Sequence, residues 1–273
     1  MSKIAKTTIG LIGTGNIGTT LLNSFIKSET VFKKNILAYD NNAEKLDQVV
    51  KDLNIAKSSS IKELIDASDI VFIAVKPQNS GELFKQVPKK IPNDKLFVTV
   101  LAGTPIQLFQ DNLGVEAKII RLMPNTPCLV NAGMIGLSKN SLVSEEESSF
   151  IKTLLQPTGE LLEIEEKHLD AVTALSGSGP AYIFLIIQAM TNAGMKLGLT
   201  QEQSLKLATQ TTYGSAKLVS DTGEHPEILK DKVSSPGGTT IYALQELEES
   251  GLRGVIMKGV EACYNRSQEL KNI

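Results

Sequence analysis

Short apolar segments alternate with stretches of helical periodicity in the first part of the chain. Ile17 and Leu21 follow the first apolar segment at helical spacing. Ser144 and Glu147 form a predicted capping box that begins a helix over residues 145–155. Because the apolar segments contain almost no polar positions, they are typical of strands in a sheet that is covered on both faces.

This alternation predicts an α/β fold, a Rossmann-type doubly wound parallel sheet. The predicted strands are residues 9–12, 36–39, 70–75, 97–101, 118–122, 133–137 and 161–164. The helix over 145–155 lies between the last two of these strands, so we assign it to the same domain. The boundary of that domain then falls near residue 165.

Strand signals disappear beyond residue 165, and the later patterns predict helices. Pro180 suits the first turn of an apolar helix, and Gly198 suits its C-terminal end. A helical segment of this length has few ways to bury its apolar faces alone, so we expect it to dimerise. The predicted organisation is an α/β domain over 1–165 and an all-α dimerisation domain over 166–273.

Composition and charge point to a small-molecule ligand. The 273 residues are 41% hydrophobic and carry a formal net charge of −2 from 28 basic and 30 acidic side chains. Without a long run of one sign, such a surface offers no electrostatic footprint for nucleic acid or for an anionic membrane. Cys128 and Cys263 are far apart and lack metal-ligand spacing, so we expect neither a metal site nor a disulfide.

The same pattern bears on the compartment. The longest apolar stretches, 70–75 and 181–187, are too short to span a bilayer, and residues 1–8 lack the apolar core of a signal peptide. We therefore expect a cytoplasmic protein in a reducing environment, with no membrane partner.

A glycine-rich turn connects the first predicted strand to the first predicted helix. It has G-x-G-x-x-G spacing, with glycines at Gly13, Gly15 and Gly18. Gly13 permits a tight turn, Gly15 lets the backbone approach a pyrophosphate, and Gly18 permits close packing of the helix on the strand. The helix N-terminus adds free N–H groups and a partial positive charge. Although such turns also occur for structural reasons, this position predicts a dinucleotide site.

Asp40 stands at the end of the second predicted strand, where a carboxylate can bind both hydroxyls of an adenosine ribose. A carboxylate there repels the 2′-phosphate of NADPH, so it favours NADH. The alternative is that Asp40 is an ordinary strand-ending turn residue. We expect an oxidoreductase that uses NAD(P)H, with NADH favoured.

Two loops in the C-terminal part are small and polar, and each precedes a predicted helix. They are Ser-Gly-Ser-Gly-Pro-Ala-Tyr at 176–182 and Ser-Ser-Pro-Gly-Gly-Thr-Thr at 234–240. Such loops can bind a carboxylate through N–H groups and hydroxyls. The alternative is that they are close-packing turns in which Ser and Thr cap helices.

Four segments together resemble the pyrroline-5-carboxylate reductase family. They are 176–182, 233–240, the Ala-Val-Lys-Pro stretch at 74–77 and the Arg-Leu-Met-Pro-Asn-Thr-Pro stretch at 121–127, and the resemblance covers nearly the whole chain. It implies reduction of the cyclic imine Δ1-pyrroline-5-carboxylate to L-proline with NAD(P)H, the last step of proline biosynthesis. It also implies a Rossmann domain, a helical dimerisation domain, and a homodimer that can build a ring of dimers.

The resemblance also implies which residues bind the cofactor. They lie in the glycine turn, after four further strands and, for one lysine, in the second domain: Ile12, Gly13, Thr14, Gly15, Asn16, Ile17, Gly18, Asp40, Ala74, Val75, Lys76, Pro77, Val100, Leu101, Ala102, Met123, Pro124, Asn125, Thr126 and Lys232. The chain departs from the family pattern at two places. Leu101 stands where the family often has Ala, and Ser60 and Ile61 stand where it often has Asn.

For the substrate, the resemblance implies contacts with Ser235, Gly238, Thr239 and Thr240, and with Glu166 on the ring-nitrogen side. Thr240 is the candidate catalytic residue, which hydrogen-bonds the ring nitrogen or the carboxylate and relays a proton. A helix cap is the alternative role for Thr240, and a solvated acidic run is the alternative for Glu166.

Two rival functions have weaker support in the residues. A β-hydroxyacid dehydrogenase shares the layout but needs a lysine acid/base after the glycine-rich helix entry, and residues 177–195 contain none. A non-catalytic dinucleotide sensor or scaffold does not need the hydroxyl-rich loop at 235–240. A protonated C=N bond is already a good hydride acceptor, so an imine reductase needs positioning more than a strong base.

Overall fold

The computed structural model describes residues 6–88 and 91–270, with only the backbone described for the last of these. The described residues contain one eight-stranded sheet. Its strands are β1 (Ile9–Ile12), β2 (Ile36–Tyr39), β3 (Ala56–Lys57), β4 (Ile70–Ile73), β5 (Leu96–Thr99), β6 (Lys118–Met123), β7 (Gly133–Lys139) and β8 (Gly159–Glu163). Their order across the sheet is β3-β2-β1-β4-β5-β6-β7-β8. All neighbouring pairs are parallel except β6 and β7, which are antiparallel.

Helices connect these strands and make up the C-terminal part of the described chain. They are α1 (Asn16–Lys27), α2 (Ala43–Leu53), α3 (Ile61–Ala67), α4 (Ser80–Gln86), α5 (Ile106–Leu113), α6 (Glu145–Leu155), α7 (Leu169–Val172), α8 (Gly179–Lys196), α9 (Gln201–Thr222), α10 (Pro226–Val233), α11 (Thr239–Glu249) and α12 (Leu252–Leu270). A π-helical turn, Thr173–Gly177, joins α7 to the next loop.

Reciprocal capping boxes mark where two of these helices begin. At the start of α6, the Ser144 hydroxyl accepts from the Glu147 amide while the Glu147 carboxylate accepts from the Ser144 amide. Thr200 and Gln203 form the same reciprocal pair at the start of α9. The capping box at Ser144 is predicted from sequence and is confirmed. Each box satisfies otherwise free N–H groups of a first helical turn locally.

Apolar side chains cover the sheet on both faces. Leu11 and Phe72 belong to one buried cluster, whereas Ile12 and Ile73 belong to a second. Since successive strand residues point to opposite sides, the two clusters lie on opposite faces. The near absence of polar positions in β1 and β4 is explained by this double burial.

The predicted fold class is confirmed, with two differences in the sheet. The edge strand β3 was not predicted, because its two residues, Ala56 and Lys57, carry no strand pattern. The sheet is also not wholly parallel, since β7 runs antiparallel to β6. The connection between them is short and contains the 3-10 helix Thr126–Val130, whereas a parallel pair needs a crossover of a dozen or more residues.

Every predicted strand is present, and some end earlier than predicted. β4 ends at Ile73 rather than at residue 75, although the Ala74 amide still donates to the Ile12 carbonyl at 2.8 Å. Likewise the Val100 amide donates to the Ile73 carbonyl at 3.1 Å just beyond β5. The apolar run therefore continues past the last paired residue into the turns.

The chain forms two compact units. The first contains the described residues up to Gly177 and those from Tyr264 onward, and the second is Ser178–Cys263. In the first unit the C-terminal segment is tied to the buried Asp170 carboxylate, which accepts from the Ser267 hydroxyl at 2.9 Å and from the Gln268 side-chain amide. The units divide at 177–178, whereas the sequence pattern places the domain boundary near residue 165.

The second unit is helical throughout and leaves much apolar surface uncovered. α8 packs against α9, and the two approach so closely that a Cβ on Gly194 would lie 2.6 Å from the Ser204 hydroxyl. On α8, Phe184 and Leu185 are nevertheless 63% and 72% exposed. Exposed apolar surface of this extent marks a surface that another molecule covers.

One helical run also has the length and composition to cross a membrane. It spans Glu166–Lys196, has a mean hydropathy of 1.3 in its most apolar window, and has 11% of that window buried. This run is longer than the stretch 181–187 identified from sequence, because uncharged small and polar residues extend the apolar core of the helix. The same uncovered apolar face also suits a protein interface.

Candidate nucleotide-binding and active site

The predicted cofactor residues of the first unit gather at one edge of the sheet. They follow the carboxyl ends of β1, β2, β4, β5 and β6, which are parallel and adjacent. The strand order reverses between β1 and β4, and ligands of open α/β sheets bind in the crevice at such a point. The topology therefore brings together turns that are far apart in the sequence.

Two glycines of the turn after β1 are required by packing within the protein. Gly13 has φ +99°, and a Cβ on it would lie 2.7 Å from the Ala74 carbonyl oxygen. A Cβ on Gly18 would collide with the Gly13 carbonyl oxygen. The tight turn and the close helix packing predicted for these two residues are thus observed.

Gly15 differs from its two neighbours in the motif. Its φ of −64° is open to any residue, and no atom lies within 4 Å of the position that a Cβ would occupy. Packing within the first unit therefore does not explain why residue 15 lacks a side chain. Gly15 lines a cavity, so a ligand that approaches the backbone explains it.

Helix α1 begins at this turn with free donors. Gly15 is its N-cap and makes no side-chain cap hydrogen bond, and the first turn holds no acidic residue. The first amides of a helix lack partners within the helix and point outward, at the positive end of its dipole. This start of α1 is suited to a pyrophosphate.

A cavity of about 360 Å³ opens beside the turn. Seven predicted cofactor residues line it: Ile12, Gly13, Gly15, Asp40, Ala74, Val75 and Lys76. Sequence reasoning missed eight others: Tyr39, Asn41, Lys45, Ile61, Asn79, Glu82, Leu83 and Gln86. Tyr39 and Asn41 adjoin Asp40 and could have been found from it. Lys45 could have been found too, because a lysine in the helical turn that follows a ribose-binding carboxylate is within reach of the same ligand.

Asp40 is held in place by the backbone around it. Its Oδ2 accepts from the Thr14 amide at 2.7 Å and from the Thr14 hydroxyl at 2.9 Å, and its Oδ1 accepts from the Asn42 amide at 2.9 Å. Burial acts to raise the pKa of the Asp40 carboxyl, but the hydrogen bonds from Asn42 and Thr14 and the charge of Lys45 outweigh it and lower the pKa. Asp40 is thus an ionised group at the cavity wall.

These bonds limit what else Asp40 can accept. A carboxylate has about four acceptor positions, two on each oxygen. Thr14 and Asn42 fill three of them. In this geometry one position stays open, on Oδ1, and the binding of both ribose hydroxyls by Asp40 stays a prediction.

The remaining predicted cofactor residues of the first unit follow other strands. Val100, Leu101 and Ala102 come directly after β5, and Leu101 is buried, with its amide donating to the Thr99 hydroxyl at 3.2 Å. Asn125, after β6, accepts from the Met134 amide at 2.9 Å and donates to the Ser176 carbonyl at 3.1 Å. These bonds fix the shape of the turn that contains Met123–Thr126.

Glu166 is more firmly held than either sequence interpretation expected. Its Oε1 accepts from the Ile106 amide at 2.7 Å and from the Arg121 guanidinium at 2.9 Å. The Arg121 side chain is only 4% exposed and the Glu166 side chain 32%, so the guanidinium is shielded from water while the carboxylate is partly exposed. Interpreting Glu166 as part of a solvated acidic run is therefore wrong. In the sequence, Arg121 on β6 is identified only as part of a motif, and its ion pair with Glu166 is not predicted.

The predicted substrate loop lies in the second unit, before α11. Gly238 is the N-cap of that helix, so Thr239 and Thr240 occupy its first two helical positions. A Cβ on Gly238 would collide with the Ser235 hydroxyl oxygen, and Gly237 has φ +68°. Among the residues that the structure describes, the hydroxyls of Ser235, Thr239 and Thr240 form no hydrogen bond. The helix-cap alternative for Thr240 therefore does not describe this geometry.

Two basic groups of the second unit are engaged locally. The Lys232 ammonium donates to both carboxylate oxygens of Glu224 at 2.6 Å. His225 caps α10, its Nδ1 accepting from the Glu227 amide at 3.3 Å. Within residues 6–88 and 91–270, no group of three or more His, Cys, Asp or Glu side chains is placed to hold a metal ion.

The fold and the glycine turn are those of a Rossmann-type oxidoreductase that uses a dinucleotide and has a helical C-terminal part. Family models agree. The model described as pyrroline-5-carboxylate reductase dimerisation matches residues 166–270, and the model described as NADP oxidoreductase, coenzyme F420-dependent, matches residues 8–103.

Known proteins are similar over almost the full length. Pyrroline-5-carboxylate reductase of Escherichia coli (strain K12) is 38% identical over 262 residues, which cover 96% of this chain and 97% of that protein. The protein of the same name from Aquifex aeolicus is 39% identical over 267 residues, 97% of each chain. This chain belongs to the pyrroline-5-carboxylate reductase family, and the resemblance seen in the sequence is confirmed.

Solved structures agree as well. The pyrroline carboxylate reductase of Plasmodium falciparum, solved with NADP bound, superposes with a TM-score of 0.86 at 32% identity and covers 98% of this chain and 99% of that one. A pyrroline-5-carboxylate reductase from Coxiella burnetii gives a TM-score of 0.89 at 31% identity, with 97% and 98% covered. The chain is therefore an oxidoreductase of the NAD(P)H-dependent type.

Proposed function

We infer that this protein reduces Δ1-pyrroline-5-carboxylate to L-proline with NAD(P)H, the last step of proline biosynthesis. The observation that carries this inference is the similarity to pyrroline-5-carboxylate reductases over almost the full length of both chains. The open position at Gly15, at the cavity wall beside the N-terminus of α1, supports the cofactor part of this inference, because it leaves room for a dinucleotide against the backbone.

Residues of the first unit bind the cofactor in this proposal. The start of α1 binds the pyrophosphate and Asp40 binds the adenosine ribose. The turns after β4, β5 and β6 bind the remainder of the dinucleotide. When bound, the nicotinamide supplies the hydride that reduces the C=N bond. We keep Lys232 as a cofactor contact, which requires it to exchange its pairing with Glu224 for the ligand.

Substrate binding is assigned to Glu166, Ser235, Gly238, Thr239 and Thr240. The unpaired hydroxyls and the first amides of α11 suit the substrate carboxylate. Glu166 uses Oε1 for Arg121 and Ile106, so its Oε2 is the oxygen that accepts from the ring nitrogen. Thr240 is the proposed catalytic residue, holding the ring nitrogen or the carboxylate and relaying a proton.

We propose that NADH is the preferred coenzyme. The support is the ionised Asp40 at the wall of the cavity, whose charge repels a 2′-phosphate. Lys45 lines the same cavity and offsets part of that repulsion, so NADPH is accepted more weakly rather than excluded.

The proposal also covers the domains, the assembly and the location of the protein. Residues 1–165 form the dinucleotide-binding domain, and residues 166–273 form the substrate-binding and dimerisation domain. The exposed apolar helices support a homodimer, and a ring of dimers is the larger assembly we propose. We assign the protein to the cytoplasm, with no nucleic-acid or membrane partner. The apolar run at Glu166–Lys196 is then an interface helix.

Imine-dependent oxidation of NADH tests the reaction. The purified protein should oxidise NADH only when pyrroline-5-carboxylate is present, and L-proline should accumulate in equal amount. A β-hydroxyacid in place of the imine should give no turnover with NAD⁺. Binding of NADH without any imine-dependent oxidation would contradict the proposed reaction.

A further inference from the structure

Thr14 is the residue that holds Asp40 most closely. It donates twice to the same oxygen, from its amide and from its hydroxyl, at 2.7 and 2.9 Å. Its side chain is fully buried within the glycine turn. A side chain with this role is not part of the G-x-G-x-x-G spacing, where residue 14 is an unspecified position.

The turn itself does not depend on the Thr14 hydroxyl. The Gly13 amide donates to the Tyr39 carbonyl at 2.8 Å, and the Thr14 amide bonds Asp40 independently of the side chain. Removing the hydroxyl therefore leaves β1, β2 and the turn connected. What it removes is one of the two bonds that fix Oδ2 of Asp40.

We propose that Thr14 is a positioning residue that sets coenzyme preference by fixing the Asp40 carboxylate so that Oδ1 offers its one open acceptor position to a single ribose hydroxyl. This rests on the proposed assignment of Asp40 to the adenosine ribose. The resemblance implies a cofactor contact for Thr14, but its side chain is fully buried and does not line the cavity, so in this role it touches neither the ribose nor the reacting atoms. It acts through Asp40.

The position of the Asp40 carboxylate matters because NADH and NADPH differ only at the 2′ substituent of the adenosine ribose. The 2′-hydroxyl of NADH donates to the open position on Oδ1, whereas the 2′-phosphate of NADPH meets a negative charge. With only the amide bonds from Thr14 and Asn42 left, the carboxylate has more freedom to turn away from the phosphate and toward Lys45, which lines the same cavity. Loss of the Thr14 hydroxyl therefore weakens the binding of NADH and leaves the binding of NADPH nearly unchanged.

Thr14→Val is the test, because valine keeps the size and the β-branching of threonine but has no hydroxyl. The dissociation constants of NADH and NADPH are measured by coenzyme fluorescence, without any imine. We expect NADH to bind about tenfold more weakly and NADPH to change by less than about twofold. Thr14→Ser, which restores the hydroxyl, should return the preference to that of the wild type.

A double-variant cycle identifies the route of the effect. In the Asp40→Ser background, Thr14→Val should leave the ratio of the two dissociation constants unchanged, because the carboxylate it positions is gone. Thr153→Val serves as the control, since the Thr153 hydroxyl donates to the Ser149 carbonyl within α6, away from the cavity. It should change neither constant.

Several results would overturn the proposal. One is an equal weakening of both coenzymes by Thr14→Val, which means that Thr14 only shapes the turn. Another is a shift that persists in the Asp40→Ser background. A wild-type protein that binds NADPH more tightly than NADH would overturn both this proposal and the proposed NADH preference. Failure to reduce the imine, with coenzyme binding as expected, would contradict only the proposed reaction. If Thr14→Val does not fold, Thr14→Ala carries the same test.

Discussion

The two compact units bury their apolar side chains to different extents. In the first, strands such as β1 and β4 are fully buried between two apolar clusters, and the cavity edge is built from turns that the sheet holds rigidly. In the second, the helices expose large apolar side chains, among them Leu185 at 72%. The first unit completes its own core, whereas the second leaves a surface for a further molecule to cover.

That difference matches the functions proposed for the two units. A dinucleotide site needs turns in fixed positions, and a sheet that is covered on both faces provides them. A helical unit with an uncovered apolar face gains stability by association, which agrees with the family model for dimerisation over residues 166–270. The same substitution should therefore act differently in the two units.

Leu185→Glu should show this most strongly. A carboxylate placed in a dimer interface must be buried without a partner, at a cost on the order of several kcal/mol. We expect the variant to elute at the mass of a single 29.5 kDa chain in size exclusion with light scattering, where the wild type gives a multiple of it. Val115→Glu is the matched control, because Val115 is 70% exposed in the first unit, and it should leave assembly unchanged. A dimeric Leu185→Glu would mean that this face is not the interface.

Gly15→Val tests the cavity edge of the first unit. The branched side chain fills the position where the pyrophosphate lies, and it meets no protein atom there. Coenzyme affinity should fall by roughly 100-fold, which is about 2.8 kcal/mol, while the thermal midpoint stays close to that of the wild type. Gly81→Val, which also points into open space, should bind NADH normally. Unchanged affinity in Gly15→Val would remove the glycine turn from the site.

Thr240→Val tests the polar loop of the second unit. The variant keeps size and branching but leaves a substrate atom unpaired, a loss of about 1 to 3 kcal/mol. That corresponds to roughly a five- to hundredfold drop in kcat/KM for pyrroline-5-carboxylate, with coenzyme affinity hardly changed. Thr222→Val, at the exposed end of α9, is the control and should keep full activity. Weaker NADH binding with intact imine turnover would show that Thr240 is not a substrate ligand.

Glu227→Gln should have the smallest effect, through surface charge on the second unit. Hydrogen bonds from Lys230, with those from Arg253, lower the pKa of the Glu227 carboxyl from 4.5 to about 2. Because the folded pKa is depressed, the stabilisation is fully present above pH 4.5 and is lost as the pH falls toward 2. The variant should melt slightly below the wild type at pH 7, and the gap should close near pH 2 and in high salt. Glu261→Gln is the comparison variant, and a gap that persists at pH 2 would exclude this ion cluster as the cause.

Much of the first unit could be predicted from sequence. The capping box at Ser144, the strand–turn–helix unit around Gly13 and the α/β class all depend on residues within a few positions of one another or on the period of the apolar pattern. The glycine turn and Asp40 were found in the same way, whereas the other candidate cofactor residues came from the resemblance to the family. The open position at Gly15, in contrast, was visible only once the atoms around it were placed.

What the sequence left undecided depends on partners distant along the chain. Glu166 meets Arg121 from 45 positions away, and Asp170 meets Ser267 from 97 positions away. The direction of β7 and the two hydrogen bonds from Thr14 to Asp40 likewise follow from which strands lie side by side. Local periodicity and motif spacing determine the elements, and together with the family resemblance they name the candidate residues. Only the packed fold determines which acceptor positions are already filled, because hydrogen bonds are directional and each one excludes another at the same place.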